Sequence, residues 1–411
     1  MIRRIVFWVF ILVTVLFIAQ LALADFTAAA KNISNTPTVD SKHPKVASIP
    51  GTSNVFVVWA ETDGTNDYLY FSKSQDFGVT WTTPFQLTLT GQILEQWALS
   101  DDRAYAMVVS NPCIHIVFQW RVNSSDDFEI VYMRSSDLGE TAENWDVWLP
   151  LTNNTTDSMA PDVAAYGEYV HVAYEDTWPG TGTIMYKRIA DYGGGGVDLT
   201  RRLSFSTNGY EPKIAVGNDG SCVSIVYTDL YSGKWNLFYK HIEDSGAGAY
   251  QTRQLTFNTT TPVNGRADIA VGSGTYAQYI YIAYESDYPG NREIMYKRLD
   301  NYGHSPYNTY TARLTYSTQD SYSCSIDCDS LYGNIHITYY DYWTGNADVI
   351  HRVLDGGGGA GFVGKRVSWG SGDSSHSSVA ASGQWAYVAW HDNTSGNYEI
   401  YVKYGDAIGG Q

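Results

Sequence analysis

Acidic side chains and flat aromatic rings recur together along this chain, always after the same kind of alternating apolar segment. A carboxylate can hydrogen-bond to sugar hydroxyls while a neighbouring aromatic ring stacks on the face of the sugar, so the combination favours carbohydrate binding. These residues are the candidates for a ligand surface: Glu61, Glu175, Asp176, Trp178, Asp229, Tyr231, Glu285, Tyr288, Asp341, Trp343 and Asp392.

The same residues also fit a purely structural role. An aspartate in a tight turn often accepts hydrogen bonds from its own backbone, and an aromatic ring beside it can pack on a neighbouring segment. The residue pattern alone does not separate the two roles, so both stay open.

The segments that carry these residues form a repeat of 51–59 residues that occurs seven times. The copies at 171–188, 224–241 and 281–298 are closely similar to one another in amino-acid sequence. Each copy has an aromatic residue at the same place, and this set defines the register of the repeat: Trp59, Phe118, Tyr174, Tyr227, Tyr284, Tyr339 and Trp390.

Each repeat predicts four strands. Two alternating strands are joined by a Gly/Asn/Asp turn, a third strand precedes them, and a hydrophobic–Ser/Thr pair marks a fourth strand after them. Seven such units predict an all-β protein, a seven-bladed β-propeller of four-stranded antiparallel blades, as a single domain over residues 25–411.

The last repeat lacks its fourth strand, and the missing piece lies at the other end of the chain. Ile33 and Ser34 show the same hydrophobic–Ser pair at the right distance before the first repeat. We therefore expect the N-terminal strand to complete the last blade, which closes the ring and removes its open edge.

The first 24 residues indicate export. Arg3 and Arg4 precede an apolar run that ends in Ala22-Leu23-Ala24, which is typical of a secretory signal peptide. The run is also long enough to remain as an uncleaved membrane anchor. Either outcome predicts a secreted or cell-surface protein. Glycosylation sequons occur at Asn32, Asn123, Asn153, Asn154, Asn258 and Asn393.

Charge and composition narrow the partners. The chain has 26 Lys+Arg against 43 Asp+Glu, a net charge of −17. This argues against nucleic acid and against an anionic membrane surface, so the expected membrane contact is through an uncleaved leader only. No cofactor is predicted. The four cysteines are expected to be small buried thiols, because Cys324 and Cys328 are too far apart along one strand to bridge.

Three histidines raise the question of a metal site. His115, His171 and His336 occupy one register of the repeat, three residues before the aromatic. Equivalent positions in separate blades cannot converge away from the axis, so no metal site is predicted from them.

One loop carries a specific motif. Ser74, Asp76, Gly78, Thr80 and Trp81 reproduce S-x-D-x-G-x-T-W, and the second repeat keeps Asp137 and Gly139. The motif resembles the Asp-box of sialidase-like, BNR-repeat β-propellers. The resemblance implies that the box is structural and lies on the face opposite the ligand site.

The resemblance also raises the possibility of catalysis. Sialidases of this architecture clamp a carboxylate with three arginines and use a Tyr/Glu pair and an Asp acid. Arg134, Arg188, Arg298 and Arg352 lie beside the Asp-box, on the wrong face. The arginines that remain as possible funnel residues are Arg103, Arg121, Arg266 and Arg292.

No motif connects these four arginines, and catalytic residues are left unassigned. Near-equal repeats favour an exported binding module for a glycan or an envelope protein. The alternative is a sialidase-like or other glycoside hydrolase, which a deep central pocket with unlike charges from several blades would favour.

Overall fold

The computed structural model describes residues 26, 28–62, 66–87, 102–121, 126–141, 145–177, 182–204, 208–257, 266–287, 290–304, 309–342, 345–357, 364–383 and 385–406. Residues 1–24, the predicted leader, lie outside these ranges. Within the ranges, no helix has the length and apolar character needed to cross a membrane. The helical elements there are single 3-10 turns at Asp191–Gly193, Gly274–Tyr276 and Asn301–Gly303.

Seven four-stranded antiparallel sheets follow one another along the chain, as the repeats predict. The first strand within the described residues is β1 (Lys31–Asn32). Blades one to three are β2 (Ser41–Ser48), β3 (Val55–Thr62), β4 (Asp67–Ser74) and β5 (Phe85–Gln86); β6 (Tyr105–Ser110), β7 (Cys113–Trp120), β8 (Glu129–Ser135) and β9 (Trp145–Pro150); β10 (Ser158–Tyr166), β11 (Tyr169–Asp176), β12 (Thr183–Ile189) and β13 (Val197–Arg202).

Blades four to seven complete the ring. They are β14 (Gly209–Val216), β15 (Cys222–Tyr231), β16 (Lys234–Glu243) and β17 (Tyr250–Gln254); β18 (Ala267–Val271), β19 (Ile280–Ser286), β20 (Glu293–Leu299) and β21 (Thr309–Arg313); β22 (Ser321–Cys328), β23 (Ile335–Asp341), β24 (Asp348–Leu354) and β25 (Lys365–Arg366); β26 (Ser374–Ser382), β27 (Trp385–Asp392) and β28 (Glu399–Asp406). The first strand of each blade lies innermost, and neighbouring inner strands contact one another, β2 with β26 included.

The N-terminal strand closes blade seven, which confirms the prediction. β1 pairs with β28, with Asn32 opposite Tyr401. The N–H of Ile33 donates to the carbonyl of Ile400 at 2.8 Å, and the N–H of Ile400 donates to Ser34 Oγ at 2.8 Å. The Ile33 side chain is buried in the core between blades seven and one. Closure therefore combines backbone pairing with apolar burial.

Side chains, rather than backbone, join the inner strands to one another. Asp162 Oδ2 accepts the N–H of Ile214 in the next blade at 2.8 Å, and Asp268 Oδ2 accepts the N–H of Ile326 at 2.9 Å. The hydroxyls of Ser325 and Ser378 accept N–H groups from their next blades in the same way. Inner strands of adjacent blades cannot form a continuous ladder, so these acceptors satisfy donors that face the channel.

The first Asp-box is a self-contained turn. Ser74 Oγ and Thr80 Oγ1 donate to the Asp76 carboxylate, which also accepts the N–H of Thr80 at 2.8 Å. Trp81 Nε1 donates to the carbonyl of Gly78, whose φ of 85° favours glycine. In the second repeat, the N–H of Gly139 donates to Ser135 Oγ, and Ser135 Oγ lies 2.7 Å from Asp137 Oδ1.

The predicted thiols and histidines lie inside the blades. No disulfide joins the four cysteines. Cys113 and Cys222 are buried as expected, whereas Cys324 and Cys328 are half-buried. His115 Nδ1 lies 2.7 Å from Tyr132 Oη, and His171 Nδ1 lies 2.8 Å from Tyr186 Oη. These two histidines thus form matching hydrogen bonds inside successive blades.

Candidate functional site

The inner strands share a distortion near their first residues. Five of them show a register shift with a residue of positive φ: His43, Ala160, Glu211, Ser323 and His376. Bulges of this kind re-aim side chains and are common at barrel rims and active sites. They lie at the channel end that faces the hairpins between second and third strands, because each inner strand begins there.

Side chains of the preceding blade hold these bulges in place. The N–H of Glu211 donates to Glu175 Oε1, and the N–H of Ser323 donates to Glu285 Oε1 at 2.7 Å. Gln119 Oε1 accepts the N–H of Ala160 in the same way. Glu175 and Glu285 are 4% and 1% exposed. The structure therefore places these two candidate ligand residues in the seams between blades.

Most of the other candidate carboxylates brace their own blades. Glu61, Asp176, Asp341 and Asp392 each accept a hydrogen bond from a serine at the start of the inner strand; these serines are Ser41, Ser158, Ser321 and Ser374. Asp229 occupies the same register, opposite Gly209, and is also buried. The carboxylates thus form a buried ring beneath the hairpins.

Of the four candidate aromatic residues, the structure describes Tyr231. Tyr231 is the last residue of β15; it is 58% exposed, and its ring contacts Phe238. Trp178, Tyr288 and Trp343 lie outside the described residues.

Unlike charges converge where the bulges meet at the axis. We call this set the channel mouth: Asp102, Arg103, Glu211, Arg266, Ser323 and His376, which line one central cavity of about 570 Å³. Arg103 Nη1 lies 2.6 Å from Glu211 Oε1, so that pair joins blades two and four. Arg266 Nη1 lies 2.6 Å from Asp102 Oδ2, so the second pair joins blades five and two across the axis.

Two of the four arginines that were possible funnel residues are therefore brought together. The side chains of Arg103 and Arg266 are each 35% exposed, so both guanidinium groups can be reached from solvent. Arg266 also donates to Ser323 Oγ at 2.8 Å. Of the other two, Arg121 lies over the ring of Phe128 and Arg292 over that of Tyr322.

Burial and charge set the protonation states of this region. Burial raises the pKa of Asp102, but the charge of Arg266 and of its other basic neighbours outweighs it and holds the pKa well below its ordinary value. Burial raises the pKa of Glu285 to about 7, against the opposing effects of the Ser323 N–H and Arg266. Burial lowers the pKa of His376 to about 3. At neutral pH, Asp102 is a carboxylate and His376 is a neutral imidazole.

His376 of the channel mouth lies beside two further histidines, His43 of blade one and His391 of blade seven. The rings of His43, His376 and His391 lie 4.7–5.2 Å apart, close enough for one metal ion to be considered. His391 Nδ1 accepts the backbone N–H of His43 at 3.1 Å, and its Nε2 lies 2.8 Å from Ser375 Oγ.

The first contact leaves the proton on His391 Nε2, so both nitrogens of this ring are engaged. Ser375 Oγ also lies 3.2 Å from His376 Nδ1. The arrangement therefore fits a hydrogen-bond relay that runs from the seam to His376 better than it fits a metal centre.

None of these three histidines is among the site residues predicted from the sequence, although the sequence carries a signal for one of them. His391 directly follows the register aromatic Trp390, the place where blades three and five carry Glu175 and Glu285. The position directly after the register aromatic thus already marks His391 in the sequence. The approach of His43 and His376 to it depends on the closed ring.

An aromatic group from blade six lies beside the mouth. The rings of Tyr322 and Tyr340 stack at 5.3 Å, and the ring of Tyr342 lies 6.0 Å from that of Tyr340. Tyr342 is 38% exposed, and Tyr340 lies 5.6 Å from His376. An exposed ring next to cationic groups can stack on a sugar.

Solved structures share this architecture across most of the chain. The polysaccharide lyase Uly1 matches with a TM-score of 0.57 at 9% identity, covering 88% of this chain and 89% of its own. An α-L-arabinofuranosidase of Fusarium graminearum, in complex with an iminosugar inhibitor, matches with a TM-score of 0.51 at 10% identity, covering 93% and 98%. An endosialidase of phage phi92 matches with a TM-score of 0.50 at 9% identity, covering 92% and 69%.

At these identities the likeness establishes the fold alone. The chain has the seven-bladed fold of sialidase-like β-propellers, as the Asp-box resemblance predicts. No protein-family model matches the sequence, and no curated protein matches it.

Proposed function

We propose that this protein binds an acidic glycan, one whose sugars carry carboxylates, at the channel mouth. The observation that carries the proposal is the convergence of Arg103 and Arg266, from blades two and five, at one partly open cavity. The chain as a whole is acidic, with a net charge of −17. Two solvent-accessible guanidinium groups at the axis therefore contrast with its overall charge.

The chemistry of arginine fits this ligand. A guanidinium carries five N–H donors in a planar fork and binds carboxylates in bidentate fashion. The contacts of Arg266 with Asp102 and Ser323 use part of that capacity, so a ligand carboxylate can add to them. Asp102 and Glu211 hold the two arginines in position before the ligand arrives.

The neighbouring aromatic rings supply the second part of a sugar site. Tyr322, Tyr340 and Tyr342 offer stacking beside the cations. The hairpin aromatics Tyr231, Trp178, Tyr288 and Trp343 are proposed to extend this surface outward along the same face. Carbohydrates are the substrates or inhibitors named for several proteins of this fold, which supports a glycan over other acidic ligands.

Cleavage of the bound glycan is the second candidate function. Asp102 Oδ1 is buried and accepts no hydrogen bond from the described residues, while the carboxylate stays ionised. Asp102 and Glu211 both line the central cavity. Glycoside hydrolysis uses two carboxyl groups, one that donates a proton and one that is ionised, and Asp102 is proposed as the ionised member. Unlike charges that converge on one central cavity from several blades also support this candidate.

Binding is tested with a matched pair of ligands. A uronate-containing oligosaccharide and its carboxyl-reduced, neutral counterpart are titrated calorimetrically into the wild type, Arg103→Gln and Arg266→Gln. A charge-assisted bond contributes about 1.5–3 kcal/mol, so each variant should lose at least about 10-fold in affinity for the acidic ligand. The neutral ligand should bind weakly to all three proteins.

Arg188→Gln is the control, because Arg188 forms an ion pair with Asp198 at 2.7 Å far from the mouth. It should bind like the wild type. Equal affinity of the acidic and neutral ligands for the wild type would overturn the proposal. So would full affinity in both mouth variants.

Cleavage is tested by incubation of the same oligosaccharides with the wild type and Asp102→Asn, followed by detection of new reducing ends. Loss of cleavage with retained binding would establish the enzyme. Binding without cleavage in the wild type leaves the binding module.

An envelope-protein partner is the remaining alternative. Pull-down from an envelope fraction, with Arg266→Gln as the comparison, would support it if capture persists after enzymatic removal of glycans. The proposed location is outside the cytoplasm, secreted or on the cell surface, which rests on the leader sequence. N-terminal sequencing of the exported protein would show whether the chain begins at Asp25.

A further inference from the structure

A second group of histidines lies on the Asp-box face, at the seam between blades four and five. His241 near the end of β16 and His304 after the 3-10 turn of blade five meet with ring centroids 4.5 Å apart. His241 is 3% exposed. Both rings line a small cavity of about 210 Å³.

Each of these rings carries a buried nitrogen with an unmet hydrogen-bonding capacity. His241 Nδ1 and His304 Nε2 have no hydrogen-bond partner within the part of the chain that is described. Burying such groups costs free energy unless something satisfies them. Glu243, two residues after His241, adds an exposed carboxylate. One nitrogen from each histidine and one carboxylate oxygen lie within 4.8 Å of one another.

This seam differs from its equivalents in other blades. At the register of His241, blades one, two, three and five carry Lys73, Arg134, Arg188 and Arg298. The first three reach across to carbonyls of the next Asp-box turn, as in the 3.0 Å bond from Arg188 Nη1 to Ser245 O. Blade four places an imidazole where these four blades place a cation, and blades six and seven carry Val353 and Tyr404 there.

We propose that this seam binds a zinc ion through His241, Glu243 and His304. Two imidazoles and a carboxylate are a common zinc ligand set. Ligand atoms about 2.0–2.2 Å from a shared zinc ion lie within about 3–4 Å of one another, so modest side-chain rotation forms the site. The ion would replace the cation that other blades place here and would join blades four and five.

The surroundings of the site are mixed in charge. Arg253 also lines the cavity, and its Nη1 donates to the carbonyl of Gly303 at 3.3 Å. The ring of Tyr302 stacks on His241 at 5.7 Å, and the Tyr302 carbonyl accepts a hydrogen bond from Tyr239 Oη. These contacts fix one face of the His241 ring. The site is independent of the proposed glycan function, because it lies at the opposite end of the blades.

The test uses the exported chain, purified without a histidine tag and stripped with a chelator. Zn²⁺ is titrated in competition with a chromophoric chelator, and Co²⁺ is added separately as a spectroscopic probe. We expect one zinc ion per chain and a Co²⁺ absorption spectrum typical of nitrogen and oxygen ligands in low coordination. Zinc should raise the unfolding temperature, because it binds only the folded state.

Three variants and one control locate the ion. Glu243→Gln changes an exposed residue, so it should fold normally and bind zinc at least about 10-fold more weakly. His304→Gln and His241→Gln should lose the Co²⁺ spectrum. His376→Gln, from the histidines at the channel mouth, is the matched control and should bind zinc like the wild type.

Absence of zinc binding to the wild type would overturn the proposal. Unchanged affinity in both Glu243→Gln and His304→Gln would also overturn it, as would loss of binding in His376→Gln alone.

Discussion

The two faces of this propeller use equivalent positions in opposite ways. On the Asp-box face, Lys73, Arg134 and Arg188 occupy one register and do one job, since each donates to carbonyls of the next blade's turn. At the channel mouth, one bulge position carries His43, Glu211 and His376 in different blades. The backbone repeats on both faces. The side chains at the mouth differ from blade to blade, whereas these three blades keep one chemistry on the Asp-box face and blade four departs from it with His241.

The carboxylates of the two faces differ in the same sense. Asp76 lies at the surface, and hydrogen bonds from Thr80 lower its pKa. Glu285 is buried in a seam, and burial raises its pKa to about 7. Where equivalent positions carry the same kind of side chain in successive blades, those side chains stabilise the blades. Where the backbone repeats but the side chains differ, a ligand site can form.

The largest expected effect is loss of the closed ring on which both faces depend. Deletion of residues 28–36 removes β1, the buried Ile33 and the bonds between Ser34 and blade seven. Truncation of one large core side chain already costs about 2–5 kcal/mol, so the whole strand should cost more.

Urea unfolding followed by circular dichroism measures this effect. Ser34→Ala, which keeps the strand, should cost about 1 kcal/mol. A deletion variant as stable as the wild type would show that blade seven does not need β1.

A change of pH should separate the two kinds of carboxylate. The folded-state pKa of Glu285 lies above its ordinary 4.5, so the folded state holds this proton more tightly than the unfolded chain. The contribution of Glu285 to the unfolding free energy should fall as pH rises from about 4.5 through about 7, by up to about 3 kcal/mol.

Glu285→Gln should flatten that slope in urea titrations at pH 5 and pH 8. Burial also raises the pKa of Asp327 to about 7, so part of the slope should remain until Asp327→Asn is added. An identical slope in Glu285→Gln and the wild type would contradict the assignment.

A smaller effect is expected in the channel below the mouth. Lys213 Nζ lies 3.5 Å from Asp162 Oδ1, with side chains 23% and 14% exposed. Lys213→Met leaves a partly hydrated carboxylate without its partner and should lower the unfolding free energy by about 1–2 kcal/mol.

Lys45→Met is the matched comparison for the channel. Burial lowers the pKa of Lys45 to about 8, so its charge is already disfavoured. That variant should be neutral or stabilising in thermal and urea unfolding. Equal losses of unfolding free energy in Lys213→Met and Lys45→Met would contradict this difference between the two lysines.

The smallest effect belongs to the Asp-box turn. Asp76→Ala removes the acceptor for Thr80 and Ser74 in a turn that water already reaches. The loss should be at most about 1 kcal/mol, and it should shrink as acid protonates Asp76 in the wild type. Thermal unfolding of Asp76→Ala and Asp76→Asn at pH 3 and pH 7 checks this. A loss that grows on acidification would contradict the lowered pKa.

Much of the fold could be read from local pattern, whereas the site could not. The register aromatics predict the number of blades, and Ile33-Ser34 predicts the closing strand. Both predictions work because each blade must bury the same face of its alternating strands. Glu175 and Glu285 were candidates for a ligand surface, yet the structure uses them to hold bulges. Local spacing does not say whether a carboxylate faces a seam or solvent.

The sequence by itself determined the seven blades, their strand order, the closure of the ring and the turn chemistry of the Asp-box. These depend on alternation and on turn residues a few positions apart. Only the tertiary structure decided that Asp102, Arg103, Glu211 and Arg266 meet at the axis, and that His241 faces His304 across a seam. Arg103 and Glu211 are 108 positions apart, and Asp102 and Arg266 are 164 positions apart. What brings such distant residues together is the arrangement of the blades around the axis, which no local pattern encodes.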